Sequence, residues 1–209
     1  VRRIAERAGL ATAAKKDSTG ICFIGERNFT KFLSQYVQAK PGPIRTLDGQ
    51  DLGEHRGVCY YTLGQRKGLG LGGEGEAYFV VAKDPKLNIV YVERGLNHPA
   101  LFCERLTATD LSWVADQAPE LPLRCRAKTR YRQEDQPCVI TRIERLADGS
   151  ERVHVEFDEP QRSVTPRQSV VFYLNDLCLG GAMIEAPGPS LHELGRAQER
   201  VLEKEGSHV

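Results

Sequence analysis

No stretch of this chain approaches a run of roughly eighteen apolar residues, so no helix of ordinary length is expected to cross a membrane. The start, Val1-Arg2-Arg3-Ile4-Ala5-Glu6, has neither the apolar core of a secretory signal nor an initiator methionine, and reads as a cut inside a longer chain. Cysteine is thinly spread. Cys22, Cys59, Cys103, Cys125, Cys138 and Cys178 include no pair with the roughly two-to-four-residue gap of a zinc half-site. His55, His98, His154, His192 and His208 are equally isolated, so no metal site is expected. The Gly-Lys-Ser/Thr order of a nucleotide P-loop is missing. Neither sign of charge dominates: 29 Lys/Arg stand against 28 Asp/Glu, which excludes global steering toward nucleic acid. Scattered thiols, four of them in apolar runs, fit a reducing, cytoplasmic setting in which most act as small hydrophobes.

What charge there is, is uneven. Residues 1–75 carry 12 Lys/Arg against 7 Asp/Glu, whereas residues 76–209 carry 17 against 21. The pattern divides the chain further. Residues 1–14 read as a remnant or connector helix. Residues 15–75 read as a small unit with too little length for a large core. Within it, Phe29, Phe32, Leu33, Tyr36 and Val37 have helical spacing over residues 26–38. Asp48-Gly49 is a hairpin signal. Residues 76–186 switch to short alternating segments: 77–82, 88–92, 100–107, 121–128, 138–143, 152–157, 169–173 and 178–185. Such a series predicts an antiparallel barrel or sandwich. Residues 187–209 form a charged tail. The expected class is mainly β, a small mixed α/β central domain followed by an antiparallel β-barrel.

Three stretches have chemical potential. The first is the Cys22 segment, Lys15-Lys16-Asp17-Ser18-Thr19-Gly20-Ile21-Cys22-Phe23-Ile24-Gly25. A nucleophilic thiol needs access and a favoured thiolate, which Lys15 and Lys16 would promote. Asp17 is a candidate acid or base, or a turn cap with Ser18. The residues alone leave open an ordinary half-buried cysteine beside Ile21, Phe23 and Ile24. The second is Tyr60–Gly73, glycine-dense and basic, where Arg66 and Lys67 suit phosphates and Gln65 suits a base edge or ribose; a flexible solvated loop is the alternative. The third is Arg124, Arg126, Lys128, Arg130 and Arg132, on every second residue. If extended, they line one face at a spacing that suits a row of phosphates. A solvated face balanced by Glu134, Asp135 and Glu156 is the competing reading. Trp113 is expected to anchor packing.

The runs Asp17–Gly25, Tyr60–Gly70, Ala127–Arg132 and Phe157–Pro160, with Cys178-Leu179-Gly180-Gly181, closely resemble the C-terminal part of the bacterial-type tRNA 2-thiouridylases. The resemblance covers roughly residues 1–186. It implies a three-domain enzyme that thiolates C2 of the wobble uridine of tRNA, using ATP with Mg2+ and persulfide sulfur. Its ATP-pyrophosphatase α/β domain is absent here, and so is its Ser-Gly-Gly-Val-Asp-Ser-type loop. No cofactor is therefore expected on this stretch, and the fragment alone is expected to be inactive. The resemblance makes Cys22 the persulfide carrier, reset through a disulfide with a cysteine of the missing domain. Lys15, Lys16, Gln65, Arg66, Lys67 and the Arg124–Arg132 row become tRNA contacts. The implied partners are tRNA and a sulfur-relay protein or cysteine desulfurase, with no membrane and a monomeric chain. A non-catalytic RNA-binding barrel with an inert Cys22, or a merely structural module, remains the alternative.

Overall fold

A computed structural model describes residues 2–11, 14, 36, 39–115, 117–131 and 133–195. The chain divides into two compact units, Val1–Ala39 and Lys40–Val209. In the first, α1 (Arg2–Arg7) is built from good helix formers. It closes with Gly9 N–H bonded to Glu6 O at 3.0 Å and Leu10 N–H to Ala5 O at 3.0 Å, which satisfy two terminal carbonyls. The helix expected over 26–38 lies outside the described residues except for Tyr36. In the tail, residues 191–195 are helical. Among the described residues no helix is long and apolar enough to cross a membrane.

The regular structure of the second unit is mainly strand. β1 (Gly42–Arg45), β2 (Asp51–His55), β3 (Tyr78–Asp84) and β4 (Ile89–Arg94) form one sheet in the order β2-β1-β4-β3. β5 (Phe102–Trp113), β6 (Leu123–Lys128), β7 (Gln136–Arg145), β8 (Glu151–Arg162), β9 (Ser169–Leu174) and β10 (Leu177–Pro187) close a barrel in the order β10-β5-β8-β7-β6-β9, every pair antiparallel. The Asp48-Gly49 signal falls where β1 turns into β2. At Asp48-Gly49, Thr46 N–H meets Gln50 O at 3.0 Å. At Asp84-Pro85, the Asp84 carboxylate accepts from Lys86 and Leu87 N–H at 2.9 Å each.

One grouping differs from the sequence reading. Residues 78–94, expected in the barrel, belong to the four-stranded sheet. β4 runs parallel to β1, pairing Ile44 with Val90 and Arg45 with Tyr91. Ile44, Val80, Val90 and Val92 are completely buried there, each contributing on the order of 2 kcal/mol. The opposite side of β3, Phe79 and Val81, packs on Leu101 ahead of β5. Covered on both faces, β3 has a continuous apolar run.

Alternation holds in the barrel. Val153, Val155 and Phe157 point inward beside Leu106, Ile140, Val170 and Phe172, while Arg152, His154 and Glu156 face out. Trp113 stacks on Phe172, centroids 5.9 Å apart, which fits a packing anchor. Gly180 sits at a register shift with φ 146, where an added Cβ would lie 2.2 Å from Ser112 O. Only glycine fits that bulge.

Candidate nucleic-acid interface

Lys15, Lys16, Asp17, Cys22 and Arg132 lie outside the described residues. The other candidates fall in the second unit and sit in unlike surroundings.

The Tyr60–Gly73 stretch is anchored rather than free. Tyr61 and Leu69 are buried against Ile44, Val80, Val90 and Val92. Gly64 N–H donates to Val80 O at 2.8 Å and Val80 N–H to Gln65 O at 3.0 Å, so the turn is laced to β3. Lys83 Nζ donates to Tyr61 O at 2.7 Å, and burial lowers its pKa. Gln65 turns inward on its own loop: Oε1 accepts from Thr62 N–H at 3.0 Å and Nε2 donates to Lys67 O at 2.9 Å. With both ends of its amide engaged, it is a brace for the turn. Arg66 and Lys67 are exposed between the two anchors. His55, silent in the sequence, holds the loop's entry. Its Nδ1 accepts from Gly57 N–H at 3.0 Å, so Nε2 carries the proton and donates to Asn88 O at 3.0 Å.

The basic row on β6 is shorter than its sequence spacing suggests. Arg124, Arg126 and Lys128 alternate with buried Cys125 and Ala127. The strand ends at Lys128, because Thr129 turns back to bond Gln133 Oε1 through its N–H at 3.3 Å and its hydroxyl at 2.9 Å. Arg130 thus leaves the row and donates to Ser163 O at 2.8 Å. The remaining charges have partners. Arg124 makes a two-pronged bond to Asp158, Arg126 pairs with Asp135 at 2.8 Å, and Lys128 lies over the Tyr173 ring at 5.5 Å. Of the acids expected to balance this face, Asp135 does so, whereas Glu156 pairs with Arg105 at 3.1 Å. Asp158 was the partner without a local signal, since it stands 34 positions from Arg124.

The cysteines separate by environment. Cys103, Cys125 and Cys138 are buried. Burial raises Cys103 to about 11, and contact with Cys125 together with burial pushes Cys138 up as well. Thiols raised in this way are poor nucleophiles. Cys178, expected to be buried with them, is exposed at the start of β10, and Cys59, in the turn Val58–Tyr60, is exposed as well. His154, on the outer face of its strand, is partly covered beside Glu144, 3.4 Å away. Among the described residues no cluster of His, Cys, Asp or Glu would hold a metal. A groove of about 880 Å³ is lined among others by Leu63, Val81, Leu101, Ser163, Arg167 and His192.

Comparison with known proteins gives this geometry a class. Residues 30–94 match the model described as the tRNA methyl transferase PRC-barrel domain, which takes in the four-stranded sheet. Residues 103–184 match the aminomethyltransferase beta-barrel domain, which takes in most of the closed barrel, and residues 1–26 match the tRNA methyl transferase HUP domain. The relatives themselves are named for thiolation. The chain is 60% identical over 193 residues to the tRNA-specific 2-thiouridylase of Protochlamydia amoebophila, covering 92% of this chain and 50% of that protein. It is 57% identical over 185 residues to that of Exiguobacterium sibiricum, covering 88% and 48%. With that of Halalkalibacterium halodurans it shares 52% over 200 residues, covering 96% and 51%. The chain belongs to the tRNA-specific 2-thiouridylase family and spans about half the length of the curated relatives it matches.

Proposed function

We propose that this chain is the sulfur-carrying and RNA-orienting part of an enzyme that thiolates C2 of the wobble uridine in tRNA. The observation that carries the reading is 60% identity across 92% of the chain with a protein named a tRNA-specific 2-thiouridylase. Cys22, in Gly20-Ile21-Cys22-Phe23, is the persulfide carrier. Its thiolate attacks the outer sulfur of a donor persulfide, the donor leaves as a thiolate, and Cys22 keeps the sulfur as its own persulfide. The donor is a cysteine desulfurase or a relay protein loaded by one. Release of that sulfur leaves a disulfide with a cysteine outside this chain, which cellular thiols reduce. Asp17, Lys15 and Lys16 belong to the segment that meets the substrate.

ATP chemistry is not routed through these residues. The Tyr60–Gly73 stretch lacks the order of a nucleotide loop, and its glycines serve a turn braced by Gln65. In the whole enzyme ATP with Mg2+ would make the uridine oxygen a leaving group; this chain's residues hold sulfur and orient RNA. Exposed Arg66 and Lys67, with Arg124, Arg126, Lys128, Arg130 and Arg132, contact tRNA phosphates. The setting is cytoplasmic and the working form a monomer.

The test is transfer of labelled sulfur from a cysteine desulfurase to the full-length protein, followed by peptide mapping. Label is expected on the Cys22 peptide and absent from Cys22→Ser. Label that ignores this substitution removes the carrier role and leaves the RNA-binding barrel with an inert Cys22.

A further inference from the structure

At the foot of the Gly64 turn, two guanidinium groups and one hydroxyl meet without a carboxylate. Arg162 ends β8, lies over the Phe79 ring at 5.1 Å and donates through Nε to Leu96 O at 3.3 Å. Its Nη2 is buried and has no hydrogen-bond partner among the described residues. Arg130 comes in from the end of β6 to donate to Ser163 O at 2.8 Å. Among the described residues neither arginine has an acid within ion-pair distance, unlike Arg124, Arg126 and Arg152. Burial, and then repulsion from Arg130, lowers the Arg162 pKa.

Ser163 completes the cluster. It is 5% exposed, its hydroxyl has no partner, and its φ of 51 is unusual for a residue with a side chain. Its backbone is fixed from both sides, by its N–H to Leu101 O at 2.6 Å and by Thr165 Oγ1 donating to its carbonyl at 2.9 Å. The loop above makes room. Gly64 has φ +78, and a Cβ there would fall 2.5 Å from Ser163 Oγ and 3.6 Å from Arg162 Nη1. Ser163 also lines the groove, and Arg130, bonded to its carbonyl, is exposed.

We propose that Arg162, Ser163 and Arg130 form a subsite for one phosphate group, seated where the Gly64 turn meets the end of β8. A phosphate accepts from both guanidinium groups and from the hydroxyl, and its charge removes the arginine–arginine repulsion. Within the function proposed above, which this inference rests on for the source, the group is a backbone phosphate of tRNA. A free phosphate has the same chemistry, so the test has two arms.

In the first arm the 209-residue chain is melted in inorganic phosphate and in chloride of equal ionic strength. At about ten times the dissociation constant, phosphate is expected to raise the midpoint by about 3–6 °C. Arg162→Gln is expected to abolish the rise. Ser163→Gly removes the unpartnered hydroxyl and suits the positive φ, so it is expected to melt at or above wild type in chloride while losing at least about half of the phosphate response. Should Arg162→Gln not fold, this second variant decides. A wild type indifferent to phosphate, or variants that respond as it does, overturns the subsite. In the second arm tRNA binding is followed against salt, and Arg162→Gln is expected to lower the log–log slope by about 0.7–0.9. An unchanged slope beside a lost phosphate response overturns the RNA source and leaves a free-anion site. If wild type binds no tRNA, the proposed function fails while the first arm still decides the subsite.

Discussion

Arg66 and Lys67 rise from a turn held by backbone bonds and apolar anchors, whereas Arg124 and Arg126 lie against carboxylates supplied by other parts of the barrel. The two stretches look alike in sequence, both basic and both near glycine or small residues. The difference is in what keeps each in place. The loop uses Leu69, Tyr61 and the Gln65 amide, so its cations carry no structural duty and face solvent. On β6 the cations themselves take part in the surface ion pairs, and a phosphate must displace Asp158 or Asp135 to reach them. Surface pairs of this kind contribute on the order of 0–1 kcal/mol, so the displacement is affordable but reduces the gain.

Removing an anchor should have the largest effect. Leu69→Ala is expected to lower stability by about 2–3 kcal/mol in urea titration, because a buried leucine leaves a cavity behind. Loosening the turn should also weaken tRNA binding although no charge changes. Stability within a few tenths of a kcal/mol of wild type would show that the loop is not held as described.

Charge removal separates the two stretches more gently. The pair Arg66→Ala with Lys67→Ala is expected to lower the salt slope of tRNA binding by about 1.5, the release of two phosphate contacts. Arg124→Ala is expected to change it by less than about 0.5, while Asp158→Asn, which frees Arg124, should raise affinity about two- to five-fold. Equal slopes for the loop and strand variants would erase the distinction.

A third basic residue shows the smallest effect. Arg152 bonds Glu185 through Nε at 2.5 Å and Nη2 at 2.7 Å, and Glu144 through Nη1 at 2.7 Å. Its hydrogen bonds are the chief cause lowering both carboxyl pKa values. A depressed folded-state pKa stabilises above the unfolded value, about 4.3, and that contribution is lost as pH falls through the lower folded value. Arg152→Gln should therefore flatten the acid limb of urea midpoints between about pH 5 and pH 3. A limb as steep as wild type would mean that these pairs do not hold the outer face.

The strands were legible because one buried face forces alternation, as in Val153, Val155 and Phe157. The sheet to which residues 78–94 belong was not, since it depends on a parallel pairing of Ile44 with Val90 that leaves no local mark. The same limit applied to the interface. Arg66 and Lys67 were readable as exposed cations in a glycine-rich run, but Gln65 turning onto its own backbone was not. Nor was the neutralisation of Arg124 by Asp158, or the meeting of Arg130 with Ser163 across 33 positions. Side chains that bond distant strands carry no periodicity of their own.

Barrel closure depends on β10, which bonds β5 on one side and β9 on the other and yields to its neighbours at Gly180. During synthesis, therefore, the β5 and β9 edges stay bare until residues 177–187 leave the ribosome. For that interval the nascent chain is an open sheet with two unpaired borders, the form most exposed to edge-to-edge association and most in need of a chaperone.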